Sequence, residues 1–256
     1  MFHGKNGKLI RLSKSCLSLL EKKRVINVLK KEYLGMGEEV DIFEKNLTAF
    51  FHRKALCVVN GTAALHLALQ SVGVKKGDEV LVQSLTYLSS FQAISACGAV
   101  PVACDINIDS ATIDLNDAKR KLTKKTKVIM PVHYAGSTGN LDEIYNFAKK
   151  FKLRVIEDAA QAPGVYYKEK AVGAIGDIGG FSLNRFKHIN TGEGGVIVTN
   201  DDELAERMRL IRNHADAVVA RKQISQINNL IGFNFRMGEI EAAIGIEQLK
   251  KLDKII

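Results

Sequence analysis

Lys187 stands in the stretch "FSLNRFKHINTGEGG", flanked by Phe186 and His188 and followed closely by a glycine-rich run. A lysine held in an apolar site loses part of the solvation that stabilises its ammonium. Its proton affinity falls, and it becomes a nucleophilic amine able to form a Schiff base with a carbonyl compound. Three other stretches carry chemistry of a matching kind. "VVNGTAALHL" runs from an apolar strand through a glycine turn into a helix opening at Thr62, where free backbone N–H groups and the helix dipole suit a phosphate; the alternative is that Asn60 or Thr62 only caps the helix. "VQSLTYLSS" places Tyr87 at the start of another helix, either as core packing or as a flat surface for a planar ligand. "LRVIEDAAQAPG" drives an apolar strand into Glu157 and Asp158, which strand alternation sends to opposite sides. The carboxylate at the strand tip either caps a helix or faces a ligand, and if buried it needs a positive partner or several hydrogen bonds.

These stretches follow apolar runs, and in an open α/β sheet ligands collect outside the carboxyl ends of the strands. The four together supply a phosphate cradle, a flat aromatic, a buried anion and an amine nucleophile. A planar phosphorylated aldehyde with a protonatable ring nitrogen uses all four, and pyridoxal 5'-phosphate (PLP) is such a molecule.

The elements that would position them are legible in the hydropathy pattern. From residue 55 onward, short β-branched runs ("ALCVV", "EVLVQ", "VPVACD", "KVIMPV", "RVIED", "GGFSLN", "VIVT") alternate with stretches of helical period ("TAALHLALQS", "YLSSFQAISA", "NLDEIYNFAKK"). The pattern predicts βαβ units around a mostly parallel sheet flanked by helices. Amphipathic helices are predicted ahead of the sheet at about 17–31 and 38–51, joined by "YLGMGE". "DDELAERMRLIRN" carries an Asp cap, an acidic first turn and a basic last turn, and "MGEIEAAIGIEQLKKLDKI" reads as a final amphipathic helix. The sequence stops within that last pattern, which predicts an uncovered apolar face there.

With 256 residues, 46% hydrophobic and 25% charged, the chain has the composition of a globular α/β domain. Apolar runs of about 18 residues are absent, and "MFHGKNGKLIRLSK" has no apolar segment behind its charges, so a cytoplasmic protein without a membrane span is expected. Cys16, Cys57, Cys97 and Cys104 lie apart in apolar surroundings, which predicts buried free thiols and no metal site. The formal net charge is +9, but the lysine pairs are scattered along the chain, which argues for solvated faces and against a nucleic-acid surface.

Several stretches in this order and spacing resemble the DegT/DnrJ/EryC1/StrS family of sugar aminotransferases: "YLGMGEEVDIFEKNLTAF", "VVNGTAALHLAL", "GDEVLVQSLTY", "GAVPVACDI", "PVHYAGSTGNLDEI", "VIEDAAQAPGVYYKEKAVGAIGDIGGFSLNRFKHINTGEGGVIVTND" and "GFNFRMGEIEAAIGIEQL". The resemblance implies the large domain of a fold-type I aminotransferase over residues 1–240, with 241–256 opening the connection to a small C-terminal domain that is absent. It implies Lys187 as the Schiff-base lysine, Asp158 as partner of the pyridine nitrogen and Tyr87 as the stacking ring. Thr62, Ala63 and Ser182 would sit at the phosphate, and Gln161 near the ring substituents. Asn234 would reach the phosphate of a neighbouring subunit, implying a homodimer, and the turn 34–37, with Met36 and Gly37, would lie near the sugar nucleotide. "LNRF" departs from the family's histidine or tyrosine followed by proline before the lysine, which leaves the role of Arg185 open.

The activity so implied is transfer of an amino group, with glutamate as donor, to a nucleotide-linked keto sugar. "TGEGG" is more similar to members that aminate C4 than C3. Two alternatives are a related PLP-dependent sugar dehydratase, a branch that lacks the lysine, and a truncated chain that binds cofactor or a partner without turnover. Without the closing domain, PLP binding with little transaminase turnover is expected. The nucleotide and the sugar are not readable from the residues.

Overall fold

The computed structural model describes residues 14–216 and 231–256; the predicted absence of an apolar leader concerns residues that mostly lie outside this range. In chain order the elements are α1 (Leu19–Lys31), α2 (Glu38–Phe51), β1 (Lys54–Val58), α3 (Gly61–Ser71), β2 (Glu79–Gln83), α4 (Leu88–Ala96) and β3 (Val100–Cys104). A short hairpin, β4 (Ile106–Asn107) and β5 (Thr112–Ile113), leads to α5 (Leu115–Arg120), β6 (Thr126–Met130), α6 (Leu141–Phe151) and β7 (Arg154–Asp158). A second hairpin, β8 (Tyr166–Tyr167) and β9 (Lys170–Ala171), precedes β10 (Ile178–Ser182), β11 (Gly195–Thr199), α7 (Asp202–Arg212), α8 (Glu239–Leu249) and α9 (Leu252–Ile255).

The main sheet has seven strands in the order β1-β11-β10-β7-β6-β2-β3. All pairings are parallel except those of β11, which runs antiparallel to both β1 and β10. The carboxyl ends of β1, β2, β6, β7 and β10 therefore share one edge, and β11 begins there. Alternation along the strands divides the core into two layers. Cys57, Leu81, Ile129, Val196 and Val198 pack with Phe43 and Leu47 of α2, Ile144 and Phe147 of α6 and Ile246 of α8. Their neighbours Leu56, Val80, Val82, Val128, Met130 and Ile197 face the other way, onto Leu65 and Leu69 of α3, Ile94 of α4 and Met208 of α7. Burial on both faces is why these strands read as nearly unbroken apolar runs.

Local side-chain caps start α1, α3, α5 and α7. Ser18 and Glu21 form a reciprocal capping box on α1, which begins two residues later than predicted, and Asp201 caps α7 through the N–H groups of Glu203 and Leu204. The start of α2 has no cap of its own; the Glu239 carboxylate accepts the N–H groups of Gly37, Glu39 and Val40 at 2.9–3.0 Å. That bond set seats α8 against α2, with α1 beside it, so the apolar face predicted to be uncovered on the last helix is instead largely buried. The thiols also differ from expectation: Cys57 and Cys104 are buried, Cys97 is half-buried and Cys16 is exposed, because Cys16 lies ahead of α1 rather than in the sheet. No helix among the described residues is long and apolar enough to cross a membrane.

Candidate active site

A cavity of about 510 Å³ opens at the carboxyl edge of the sheet, and Thr62, Tyr87, Asp158, Gln161, Ser182 and Lys187 all line it. Each arrives from a different segment. Thr62 comes with the first turn of α3, Tyr87 is the N-cap residue of α4, Asp158 ends β7, Gln161 follows it, Ser182 ends β10, and Lys187 lies in the loop between β10 and β11.

The two carboxylates of β7 separate as alternation requires. Glu157 turns away from the cavity and accepts from His133 Nε2 at 2.8 Å and from the N–H groups of Gly173, Ile175 and Gly176 at 2.9, 3.0 and 2.6 Å. Burial pushes its proton affinity up, but the His133 bond and these backbone donors outweigh that and hold Glu157 below the usual carboxylate range. Asp158 faces the cavity at 4% exposure. Ser90 Oγ donates to its Oδ2 at 2.7 Å and the Ala160 N–H to its Oδ1 at 3.2 Å. Burial raises its pKa above the ordinary aspartate value, with these two bonds and nearby Lys187 pulling the other way. Its backbone is fixed to the chain beyond β6 through Asp158 N–H to Pro131 O at 2.9 Å and His133 N–H to Asp158 O at 3.0 Å.

Lys187 is half-buried, and burial lowers its pKa while the charge of Asp158 opposes the shift. Its backbone N–H donates to Asn184 O at 2.8 Å, holding the loop turned toward the cavity. Tyr87, 74% exposed, forms an outer wall rather than part of the core. Gln161 Oε1 accepts the Ala135 N–H at 2.9 Å, and the Ser182 hydroxyl accepts from Asn184 N–H at 3.3 Å. Arg185 lies over the Phe186 ring, 4.3 Å from its centroid.

The pair expected at a phosphate is divided. Thr62 lines the cavity, whereas the Ala63 N–H donates to the Asn60 side chain at 2.8 Å, so the helix-capping alternative holds at that amide. Ala63 instead lines an adjoining cavity of about 360 Å³ with His66, Ala93, Ala96 and Phe235. A Cβ on Gly61 would lie 2.8 Å from Ser182 Cβ, so the start of α3 reaches the end of β10 only because residue 61 has no side chain.

Three further residues lie apart from the cavity lining of their own chain. Asn234 forms a bridge with Asn213 at the end of α7. Met36 packs half-buried against the core under α2, and Gly37 donates its N–H to Glu239 at 3.0 Å. Sequence reasoning did not single out Ser90 or His133. Ser90 stands three residues after Tyr87, on the same helix face, and His133 follows the apolar run "KVIMPV", so both carried a positional signal.

A mostly parallel sheet at whose carboxyl edge a half-buried lysine amine of lowered proton affinity and a buried carboxylate meet in one cavity defines the large domain of a fold-type I aminotransferase. The sequence pattern of the DegT/DnrJ/EryC1/StrS aminotransferase family matches residues 16–256, and the chain belongs to that family. It is 42% identical over 221 residues to GDP-perosamine synthase of Caulobacter vibrioides, covering 86% of this chain and 58% of that protein. It is 41% identical over 229 residues to dTDP-3-amino-3,6-dideoxy-alpha-D-galactopyranose transaminase of Aneurinibacillus thermoaerophilus, covering 88% and 61%. Among solved structures, an aminotransferase from Psychrobacter cryohalolentis superposes with a TM-score of 0.88 at 35% identity, covering 94% of this chain and 64% of that one. A GDP-4-keto-6-deoxymannose-3-dehydratase with PLP and glutamate trapped together gives 0.88 at 31%, covering 96% and 69%. The chain thus spans about six-tenths of the length of the first of these relatives.

The cofactor of this family is PLP. The residues present fit that group on one observation. Asp158 is a buried carboxylate with two neutral donors and no ion-pair partner among the described residues, facing the same cavity as the Lys187 amine. A cationic ring nitrogen is what such a carboxylate lacks.

Proposed function

We propose that this chain forms the cofactor-binding part of a PLP-dependent transaminase that moves an amino group from glutamate to C4 of a nucleotide-linked keto sugar. The observation that carries the reading is the convergence of Lys187, Asp158 and Tyr87 on one cavity at the sheet's carboxyl edge. When bound, PLP supplies an aldehyde for amine exchange and a ring that withdraws electrons from the carbon losing its proton. Lys187 Nζ would be the covalent attachment point for the aldehyde and, once released, the base that takes the proton from the carbon bearing the amine and, as its conjugate acid, returns it. Lowered proton affinity suits it to both tasks. Asp158 would hold the proton on the ring nitrogen, Tyr87 would cover one ring face, Gln161 would lie beside the ring substituents, and Thr62, Ser182 and the start of α3 would take the phosphate; these residues line one cavity.

The relatives support a nucleotide-sugar substrate, and their names carry both GDP and dTDP. Spore coat polysaccharide biosynthesis protein SpsC of Bacillus subtilis, 37% identical, supports a place in surface-polysaccharide biosynthesis. We place the protein in the cytoplasm as a homodimer in which Asn234 reaches the partner's phosphate, and the turn 34–37 near the sugar nucleotide. A dehydratase remains the second reading, because fold similarity to a sugar dehydratase is as high as to an aminotransferase; Lys187 favours transamination.

Mixing the chain with PLP and reducing with borohydride is expected to fix the cofactor on the peptide bearing Lys187. Lys187→Ala is expected to abolish that label. Label elsewhere, or retained in the variant, refutes the assignment. A form of the relatives' full length, given glutamate and UDP-, dTDP- and GDP-linked keto sugars, is then expected to release 2-oxoglutarate and an amino sugar, with little turnover by the 256-residue chain; loss of a sugar hydroxyl without amination identifies the dehydratase.

A further inference from the structure

Ser90 is a polar residue in the first turn of α4 with no exposed surface (0%). Its Oγ lies 2.7 Å from Asp158 Oδ2 and 2.7 Å from Thr86 Oγ1, and Thr86 lines the cavity. Ser90 Oγ donates to Asp158 Oδ2, so its single proton is directed there, and the Thr86 hydroxyl must be the donor to Ser90. The order of donation is thereby fixed from the cavity wall to the buried carboxylate. The same turn carries the proposed stacking ring, since the Ser90 N–H donates to Tyr87 O at 3.2 Å. One side-chain bond therefore links the helix turn that presents Tyr87 to the strand end that presents Asp158, across 68 positions of sequence.

We propose that Ser90 is a positioning residue for the cofactor: its hydroxyl aims the Asp158 carboxyl at the cavity and locks the Tyr87 wall in register with it. The proposal rests on the reading of this cavity as a PLP site. Oδ1 takes the Ala160 N–H and Oδ2 takes Ser90, so the remaining acceptor capacity is left for a ligand in the cavity. Among the described residues, the charged groups acting on Asp158 are Lys187 from the loop after β10 and His133 from the segment after β6, the latter held by Glu157, while Glu193 and Tyr87 line the same cavity.

Two measurements test the bond and the reading separately. In the cofactor-free chain, the Asp158 carboxyl resonance is titrated in wild type and Ser90→Ala; losing one charge-assisted donor is expected to raise the midpoint by about one pH unit. No movement overturns the proposal whatever the cavity binds. With PLP, Ser90→Ala is expected to weaken binding about tenfold, but to change it less than about twofold in an Asp158→Ala background, because the bond is already gone. Equal loss in both backgrounds shows a packing role only and overturns the proposal. Ser90→Cys keeps nearly the same volume with a weak donor and is expected to follow alanine; if Ser90→Ala misfolds, cysteine decides. Failure of the wild type to form a borohydride-fixed Lys187 adduct removes the PLP reading, and with it the cofactor role, while the carboxyl titration still judges the bond.

Discussion

Asp158→Asn is expected to reverse the stability order of wild type and variant depending on whether PLP is present. Without cofactor, wild type buries a carboxylate that has two hydrogen bonds and, among the described residues, no cation paired with it. An uncompensated buried charge costs several kcal/mol, and hydrogen bonds to charged groups return about 1.5–3 kcal/mol each, leaving a net cost of about 1–2 kcal/mol at neutral pH. Asparagine keeps the shape and removes the charge, so the variant is expected to unfold about 2–8 °C higher, at about 2–4 °C per kcal/mol for a chain of this size. The sign of the pH dependence follows from the raised Asp158 pKa. The folded state binds its proton more tightly than the unfolded chain, so the cost applies at neutral pH and fades as pH falls through the folded-state value. The gap between variant and wild type therefore narrows toward acid. PLP at about one hundred times its dissociation constant adds about 2.7 kcal/mol to wild type. The variant gains less, because a neutral amide does not hold the ring nitrogen's proton as an ion pair. Thermal unfolding by circular dichroism, on PLP-stripped and PLP-saturated protein, reads both effects. A variant less stable than wild type without PLP at neutral pH, or equal stabilisation of both by PLP, refutes the account.

Glu157→Gln is expected to destabilise by about 3–5 kcal/mol in urea titrations, since it breaks a buried pair with His133 and weakens three backbone contacts of the 173–176 loop. The stability that ionised Glu157 contributes is present above the unfolded-state glutamate pKa and is lost as pH falls through its depressed folded-state value, which an acid titration of wild type against the variant detects. Gly61→Ala places a methyl 2.8 Å from Ser182 Cβ and is expected to cost about 1–3 kcal/mol by thermal unfolding, with PLP binding weakened further because the start of α3 is pushed off β10. If Asn234 completes a partner's phosphate site, PLP affinity rises with protein concentration; tight binding by a monomer in sedimentation runs contradicts it.

The strands and helices of this chain were legible because their causes are local. The nearly unbroken apolar runs of "EVLVQ" and "TKVIM", the Asp201 cap with its acidic first turn, and the Ser18–Glu21 box all act within a few residues. The same locality made the strand-end residues readable, and it required Glu157 and Asp158 to diverge. It did not decide which carboxylate faces the cavity; that follows from the sheet order, which sets β10 and β6 on either side of β7 and brings His133 and the 173–176 loop to Glu157. Nor could it show that Asn60 takes the Ala63 amide, that Ser90 reaches Asp158, or that Glu239 supplies the cap of α2 from about 200 positions away. Hydrophobic period and capping chemistry are written into neighbouring residues, whereas the partner of a buried donor or charge is chosen by whatever packing brings within hydrogen-bond reach, and only the folded chain determines that.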